Sequence, residues 1–379
     1  MLNPDKNDRI YLSPPHLSGN ELACVQDALN SNWVAPIGPA LDGFERLICE
    51  QTSASYCVAL QSGTAALHIA LLILGVKRDD IVIISDFTFP ASANPVIYTG
   101  AVPVFVDIET ETWNINPELL EYAIKDCLKN GKKPKAIIVP HIYGMPAKMQ
   151  EIMSVANAHD IPVIEDAAEA LGSTYNGRHV GLFGAIGVLS FNGNKIITTS
   201  GGGALISNNP EYIVRAKFLA TQARDKMPYY EHSEIGYNYR LSNICAAIGI
   251  GQMTVLKGRI QQRRRNFEKY KTKLADIDEI SFLEEPEGHF SNRWLTTILV
   301  NPTPLNRLTH DEIRLRLEED NIESRPLWKP LHLQPVFKQY LSYSSGNAEK
   351  LFISGLCLPS GSALTTAEFE RIIPWIRQK

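Results

Sequence analysis

A chain of 379 residues, 44% hydrophobic, is long enough to bury more than one core, so one large and one small domain are expected. Its formal net charge of -4 excludes a global attraction to nucleic acid or to an anionic membrane surface. The six cysteines, Cys24, Cys49, Cys57, Cys127, Cys245 and Cys357, show no CxxC and no Cys/His spacing, so neither a zinc site nor a disulfide framework is expected.

Residues 1–8 carry no apolar signal core, and the longest apolar stretch, 65–76, is too short to span a bilayer. A soluble, cytoplasmic protein with reduced core cysteines is expected. The Ser-x-x-Glu spacing of Ser18 and Glu21 reads as a capping box opening a first helix that ends near Asn30. Strand-like and helix-like runs then alternate. Strands are expected at 57–61, 81–84, 102–107, 136–140 and 162–166; helices are expected from Thr64, after Pro90, from Asn116-Pro117 and from Ala147. This alternation predicts an α/β fold, a mostly parallel sheet with helices on both faces.

Beyond Asp166 shorter strands are expected at 187–191 and 203–207, then a long helical region at 242–274, a strand at 294–300 and a Thr-capped helix at 309–320. The expected division is an N-terminal arm and first helix at 1–35, a large domain at 36–255 and a small α+β domain at 256–379. The basic cluster Arg259, Arg263, Arg264 and Arg265 falls in the polar helical stretch, which favours a solvated or interdomain helix face over a nucleic-acid site.

Chemistry is concentrated at strand ends. In the run 190–203, Lys195 leaves a strand through small residues and is followed by three glycines, a setting for an amine that bonds covalently to a carbonyl. The β-branched run 163–166 ends in Asp166, and open α/β sheets place ligands at that carboxyl end. A lysine for an aldehyde and an aspartate for a ring nitrogen are the two contacts that pyridoxal 5'-phosphate requires. Gly63 and Thr64 open a helix after a strand, a seat for phosphate, to which Ser190 can add a hydroxyl. Phe89 follows the second strand and can stack on a ring, and Asn238 lies in a polar aromatic turn before a helix, suited to a phosphate.

Together, Ser62-Gly63-Thr64, Phe87-Thr88-Phe89, Glu165-Asp166-Ala167-Ala168-Glu169, Ser190-Phe191-Asn192-Gly193-Asn194-Lys195 and Gly236-Tyr237-Asn238-Tyr239-Arg240 resemble the DegT-type nucleotide-sugar aminotransferases of pyridoxal-phosphate fold type I, in order and spacing over nearly the whole chain. The resemblance implies that Lys195 carries the cofactor, Asp166 holds its ring nitrogen and Phe89 stacks on the ring. It also implies that Gly63, Thr64 and Ser190 bind the phosphate, and that Asn238 is lent by the other subunit of a homodimer.

The segments 11–16, 31–36 and 325–332 are similar to the branch that aminates UDP-linked 4-keto-6-deoxy-N-acetylglucosamine. By that likeness Asn32, Trp33, Val34, Ala35, Trp328, Lys329 and His332 would frame the sugar nucleotide, with L-glutamate as the amino donor. Ala185 stands where many relatives carry aspartate, and Glu169, near the cofactor, where many carry glutamine. A GDP-4-keto-6-deoxymannose aminotransferase is the nearest alternative, and a non-catalytic binding protein a more distant one. The related dehydratases carry histidine at the position of Lys195.

Overall fold

The computed structural model describes residues 8–301 and 309–377. Seven strands form most of one sheet: β1 (Tyr56–Leu60), β2 (Ile81–Ser85), β3 (Val102–Val106), β4 (Ala136–Pro140), β5 (Val163–Asp166), β6 (Ile186–Ser190) and β7 (Gly203–Ser207). Their order is β1-β7-β6-β5-β4-β2-β3, and Ser342–Tyr343 adds a parallel strand beyond β3. Only β7 runs against its neighbours, pairing antiparallel with both β1 and β6.

The strands are apolar over most of their length because both faces are covered, with polar residues such as Asp166 and Ser190 at their ends, and alternate residues feed different cores. Ile83, Val104, Ile137, Val139 and Val163 meet the helices Pro39–Thr52 and Pro117–Lys129 through Phe44, Ile48, Leu120 and Ile124. Val82, Ile84, Phe105, Ile138 and Ile164 meet the helix Gly63–Ile73 through Ala66, Leu67, Ala70 and Leu71. The parallel crossovers leave all the following loops, with their free polar groups, at one edge of the sheet.

Several boundaries differ from expectation, each for a local reason. The first helix is Glu21–Asn30, and only half of the capping box forms: the Glu21 carboxylate accepts the Ser18 and Gly19 N–H groups, while Ser18 Oγ accepts from Asn20 instead of from the helix. The segment after Pro90 is a 3-10 turn, Pro90–Ser92, followed by the short helix Asn94–Tyr98. The helix expected from Ala147 begins at Met149. The stretch 242–274 splits into Asn243–Met253 and Leu256–Lys273 at Thr254-Val255, where the Thr254 hydroxyl donates to the Gly251 carbonyl.

A second, four-stranded antiparallel sheet orders Ile280–Phe282, Thr296–Val300, Gly355–Leu358 and Arg325–Pro326. The helices His310–Glu319 and Thr366–Arg377 cover it over Ile298, Ile313, Leu317, Leu356, Phe369 and Ile372. The Thr309 cap is complete, with the reciprocal Glu312 bond.

The basic cluster on Leu256–Lys273 is largely a fastening. Arg259 donates to the His16 and Leu17 carbonyls; Arg263, 1% exposed, donates to the Trp294 and Ser360 carbonyls and to Ser13 Oγ. Arg264 pairs with Glu285, leaving Arg265 exposed. Arg263→Ala strips donors from three buried acceptors and opens a cavity, so a loss of about 2–4 kcal/mol in urea unfolding is expected. A change within about 0.5 kcal/mol, the scale of surface substitutions, would contradict this role.

Candidate active site

The carboxyl edge of the sheet opens into a cavity of about 270 Å³ whose walls come from the ends of β1, β2, β4, β5 and β6, closed by Trp294 and Trp328. One wall is a helix start. Ser62 caps Gly63–Ile73 by accepting the Ala65 N–H at 3.0 Å, and the Gly63 and Thr64 N–H groups have no intrahelical partner. A Cβ on Gly63 would lie 3.2 Å from Ser190 Cβ, so glycine lets the helix begin hard against the end of β6 and sets Ser190 beside it. Such a corner of N–H groups and hydroxyls binds an anion through the positive end of the helix dipole.

Asp166, at the end of β5, forms the floor. Ser92 Oγ donates to Asp166 Oδ2 at 2.7 Å, the Ala168 N–H reaches Oδ1 at 3.2 Å, and Thr88 Oγ1 lies 2.9 Å from Ser92 Oγ. Because the single Ser92 proton is committed to the aspartate, Thr88 is the donor in the last contact. The chain keeps this carboxylate fixed and accepting, suited to a cationic or N–H partner in the cavity.

Lys195 lines the same cavity, with Nζ 3.7 Å from Glu169 Oε1 and 4.1 Å from the Trp294 ring centroid. Glu169 is held through its other oxygen by the Tyr143 N–H at 2.7 Å. Tyr143 adopts a left-handed backbone, φ 51°, the kind of strain that persists where surrounding structure imposes it. Burial raises the Glu169 carboxyl to about 7; Lys195 and the Tyr143 N–H work against that rise, and Asp166 adds to it.

Of the residues expected at a site, the cavity brings together Gly63, Thr64, Phe89, Asp166, Glu169, Ser190, Lys195 and Trp328. Phe89 is half exposed and tilted against the Trp328 ring at 5.2 Å. The others lie elsewhere on this chain. Asn238 is exposed, bridged to Thr221. Asn32, Trp33 and Val34, exposed, and Ala35, half-buried, follow the first helix, and Asn243 holds the Trp33 and Ala35 carbonyls. His332 is clipped by Asp86 and Glu349, and the Asp86 bond raises its pKa; neither it nor Lys329 lines the cavity. Sequence reasoning passed over Ser92, Tyr143 and Trp294 as site residues; Trp294 registered only as the start of a strand.

The Glu169 proton is bound more tightly in the folded chain than in the unfolded one, so its contribution to stability is present at acid pH and lost as pH rises toward about 7. In the cofactor-free chain, Glu169→Gln is therefore expected to melt progressively higher relative to wild type between about pH 5 and 8. A difference that stays constant over that range would contradict the buried, proton-holding carboxyl.

The sequence profile of the DegT/DnrJ/EryC1/StrS aminotransferase family matches residues 15–377. EpsN of Bacillus subtilis (strain 168), named as a pyridoxal phosphate-dependent aminotransferase, is 50% identical over 369 residues, 96% of this chain and 94% of that protein. GDP-perosamine synthase of Escherichia coli O157:H7 is 36% identical over 355 residues, covering 93% and 94%. The crystal structure of a DegT DnrJ EryC1 StrS aminotransferase from Brucella abortus superposes with a TM-score of 0.88 at 29% identity over 95% of each chain. With the fold and the sequence in agreement, the chain belongs to the DegT/DnrJ/EryC1/StrS aminotransferase family and is an aminotransferase that works with pyridoxal phosphate.

Proposed function

We propose that this enzyme moves an amino group from L-glutamate to the C4 ketone of a nucleotide-linked 4-keto-6-deoxy sugar, namely UDP-2-acetamido-2,6-dideoxy-4-keto-hexose, in the cytoplasmic stage of bacterial glycan synthesis. The observation that carries the reading is that Lys195 and Asp166 open into one cavity with the helix start at Gly63. The residues present suit the cofactor: an amine, a fixed carboxylate and an anion corner converge on a space with aromatic walls.

Pyridoxal phosphate, when bound, supplies an aldehyde for amine exchange and a ring that accepts electrons from the carbon losing its proton. Lys195 Nζ would tether it and, once displaced by the donor amine, carry the proton between the reacting carbons. Asp166, oriented by Ser92 and the Ala168 N–H, would keep the ring nitrogen protonated. The N–H groups of Gly63 and Thr64 with Ser190 would hold the phosphate, Phe89 would cover the ring and Glu169 would border it. Asn238 is exposed and does not line this chain's own cavity, in keeping with a homodimer in which each subunit lends it to the other. The segment 32–35, together with Trp328, Lys329 and His332, would frame the sugar nucleotide. The arm at 1–35, the cofactor domain at 36–255 and the domain at 256–379 would act as the working parts.

A second reading, transfer to GDP-linked 4-keto-6-deoxymannose, is favoured by the 36% identity to a GDP-perosamine synthase. The loaded enzyme, converted with glutamate and freed of it, is mixed separately with UDP-, GDP- and dTDP-linked 4-keto sugars while the visible absorbance of the aldehyde form is followed. Return of absorbance with the UDP N-acetyl sugar alone is the expected result. Return with the GDP sugar alone selects the second reading, and return with none rejects both. Lys195→Ala is expected to keep the fold and lose turnover by roughly 10³-fold; activity within about tenfold of wild type would contradict the role of Lys195.

A further inference from the structure

We propose that the Trp294 indole face and the Glu169 carboxylate form a berth for the Lys195 ammonium group whenever that lysine is detached from the cofactor, which makes Trp294 a positioning residue for the reaction. The inference rests on the reading of Lys195 as an amine that is bonded and released in each cycle. Such an amine must be held as a cation in a space closed off from most of the solvent, and kept within reach of the reacting carbons. The Lys195 side chain is 14% exposed, and both neighbours of Nζ attract it as a cation: the indole face at 4.1 Å and Glu169 Oε1 at 3.7 Å.

The two walls of this berth are built as one unit. Asn292 accepts the Trp294 N–H at 2.8 Å through its oxygen and donates through its nitrogen to the Glu169 and Leu171 carbonyls at 2.9 and 3.0 Å. One buried amide thus ties the backbone of the indole to the backbone of the carboxylate. A Cβ on Gly144 would fall 2.0 Å from Asn292 Oδ1, so the turn that presents the Tyr143 N–H to Glu169 leaves room for this amide only with glycine there.

Trp294 also controls the loop that carries the lysine. Its Nε1 donates to the Asn194 carbonyl at 2.8 Å, one residue before Lys195, and Ser13 Oγ reaches the same oxygen at 2.7 Å. At 2% exposure, with its own carbonyl held by Arg263, the indole has little freedom to turn away. The same side chain therefore sets where the lysine starts, through Nε1, and where its ammonium group rests, through the ring face. A structural tryptophan would need only the first contact.

The ionisable groups that line the cavity with Lys195 are Glu169, Asp166 and His141. The test reads Lys195 itself in the full-length chain freed of cofactor. Competitive acetylation with acetic anhydride across pH, followed by peptide mass spectrometry, gives the midpoint at which Lys195 becomes a free amine. Trp294→Leu removes the indole face and is expected to lower that midpoint by about half a unit to one unit. Trp294→Phe keeps a ring but loses Nε1, and is expected to shift it less than the leucine variant does. A leucine variant with native circular dichroism and an unmoved midpoint would overturn the proposal. Should that variant fail to fold, Glu169→Gln probes the other wall: a lowered midpoint supports the berth and an unchanged one overturns it. The readout needs no sugar and no turnover, so a failure of the proposed amine transfer is seen separately in the absorbance experiment.

Discussion

The close approach of the segment Ser62-Gly63 to the β6–β7 pair is the constraint on which the rest of the site depends. A Cβ on Gly203 would lie 2.3 Å from the Ser62 carbonyl carbon and 2.4 Å from Gly63 N, and one on Gly63 would press on Ser190 Cβ. Side chains at 63 and 203 would push the helix start away from the strands that lead into and out of the lysine loop. Their absence lets the helix start, Ser190 and the Lys195 loop line one cavity. The antiparallel β7 belongs to the same device, since its pairing with both β1 and β6 brings their ends together.

Around this corner the chain stations charges under unequal cover. Asp166 receives a hydroxyl and an N–H and stands ready for a cationic partner. Glu169 has one backbone donor and a lysine nearby, yet burial outweighs them and raises its carboxyl to about 7. Two acids three residues apart are thereby given different environments. Arg263 is desolvated too: burial lowers its pKa to about 9, and it donates to carbonyls and a hydroxyl that join the N-terminal arm, the second sheet and Trp294.

The parallel sheet was legible because its strands are short apolar runs bounded by turn residues, with Asp166 closing one such run and Lys195 in the loop after another. Their meeting follows from topology, since parallel strands deliver their carboxyl ends to one edge. Ser92, Trp294 and Asn292 were not legible as site residues. Ser92 lies 74 positions from Asp166, and the Trp294 indole 100 from the Asn194 carbonyl, so nothing in their local surroundings marks the contact. The burial of Arg259 and Arg263 was hidden likewise, because an arginine-rich helix looks the same whether its carbonyl partners come from water or from distant segments. The break at Thr254-Val255 was missed because both flanking stretches suit a helix and only side-chain bonding separates them.

The proposed function stands on the attachment of the cofactor to Lys195 in this cavity. Borohydride reduction of the loaded enzyme, followed by proteolysis and mass spectrometry, tests it most directly. The cofactor mass is expected on the peptide containing Lys195. Its appearance on a different lysine, or on none, would contradict the account.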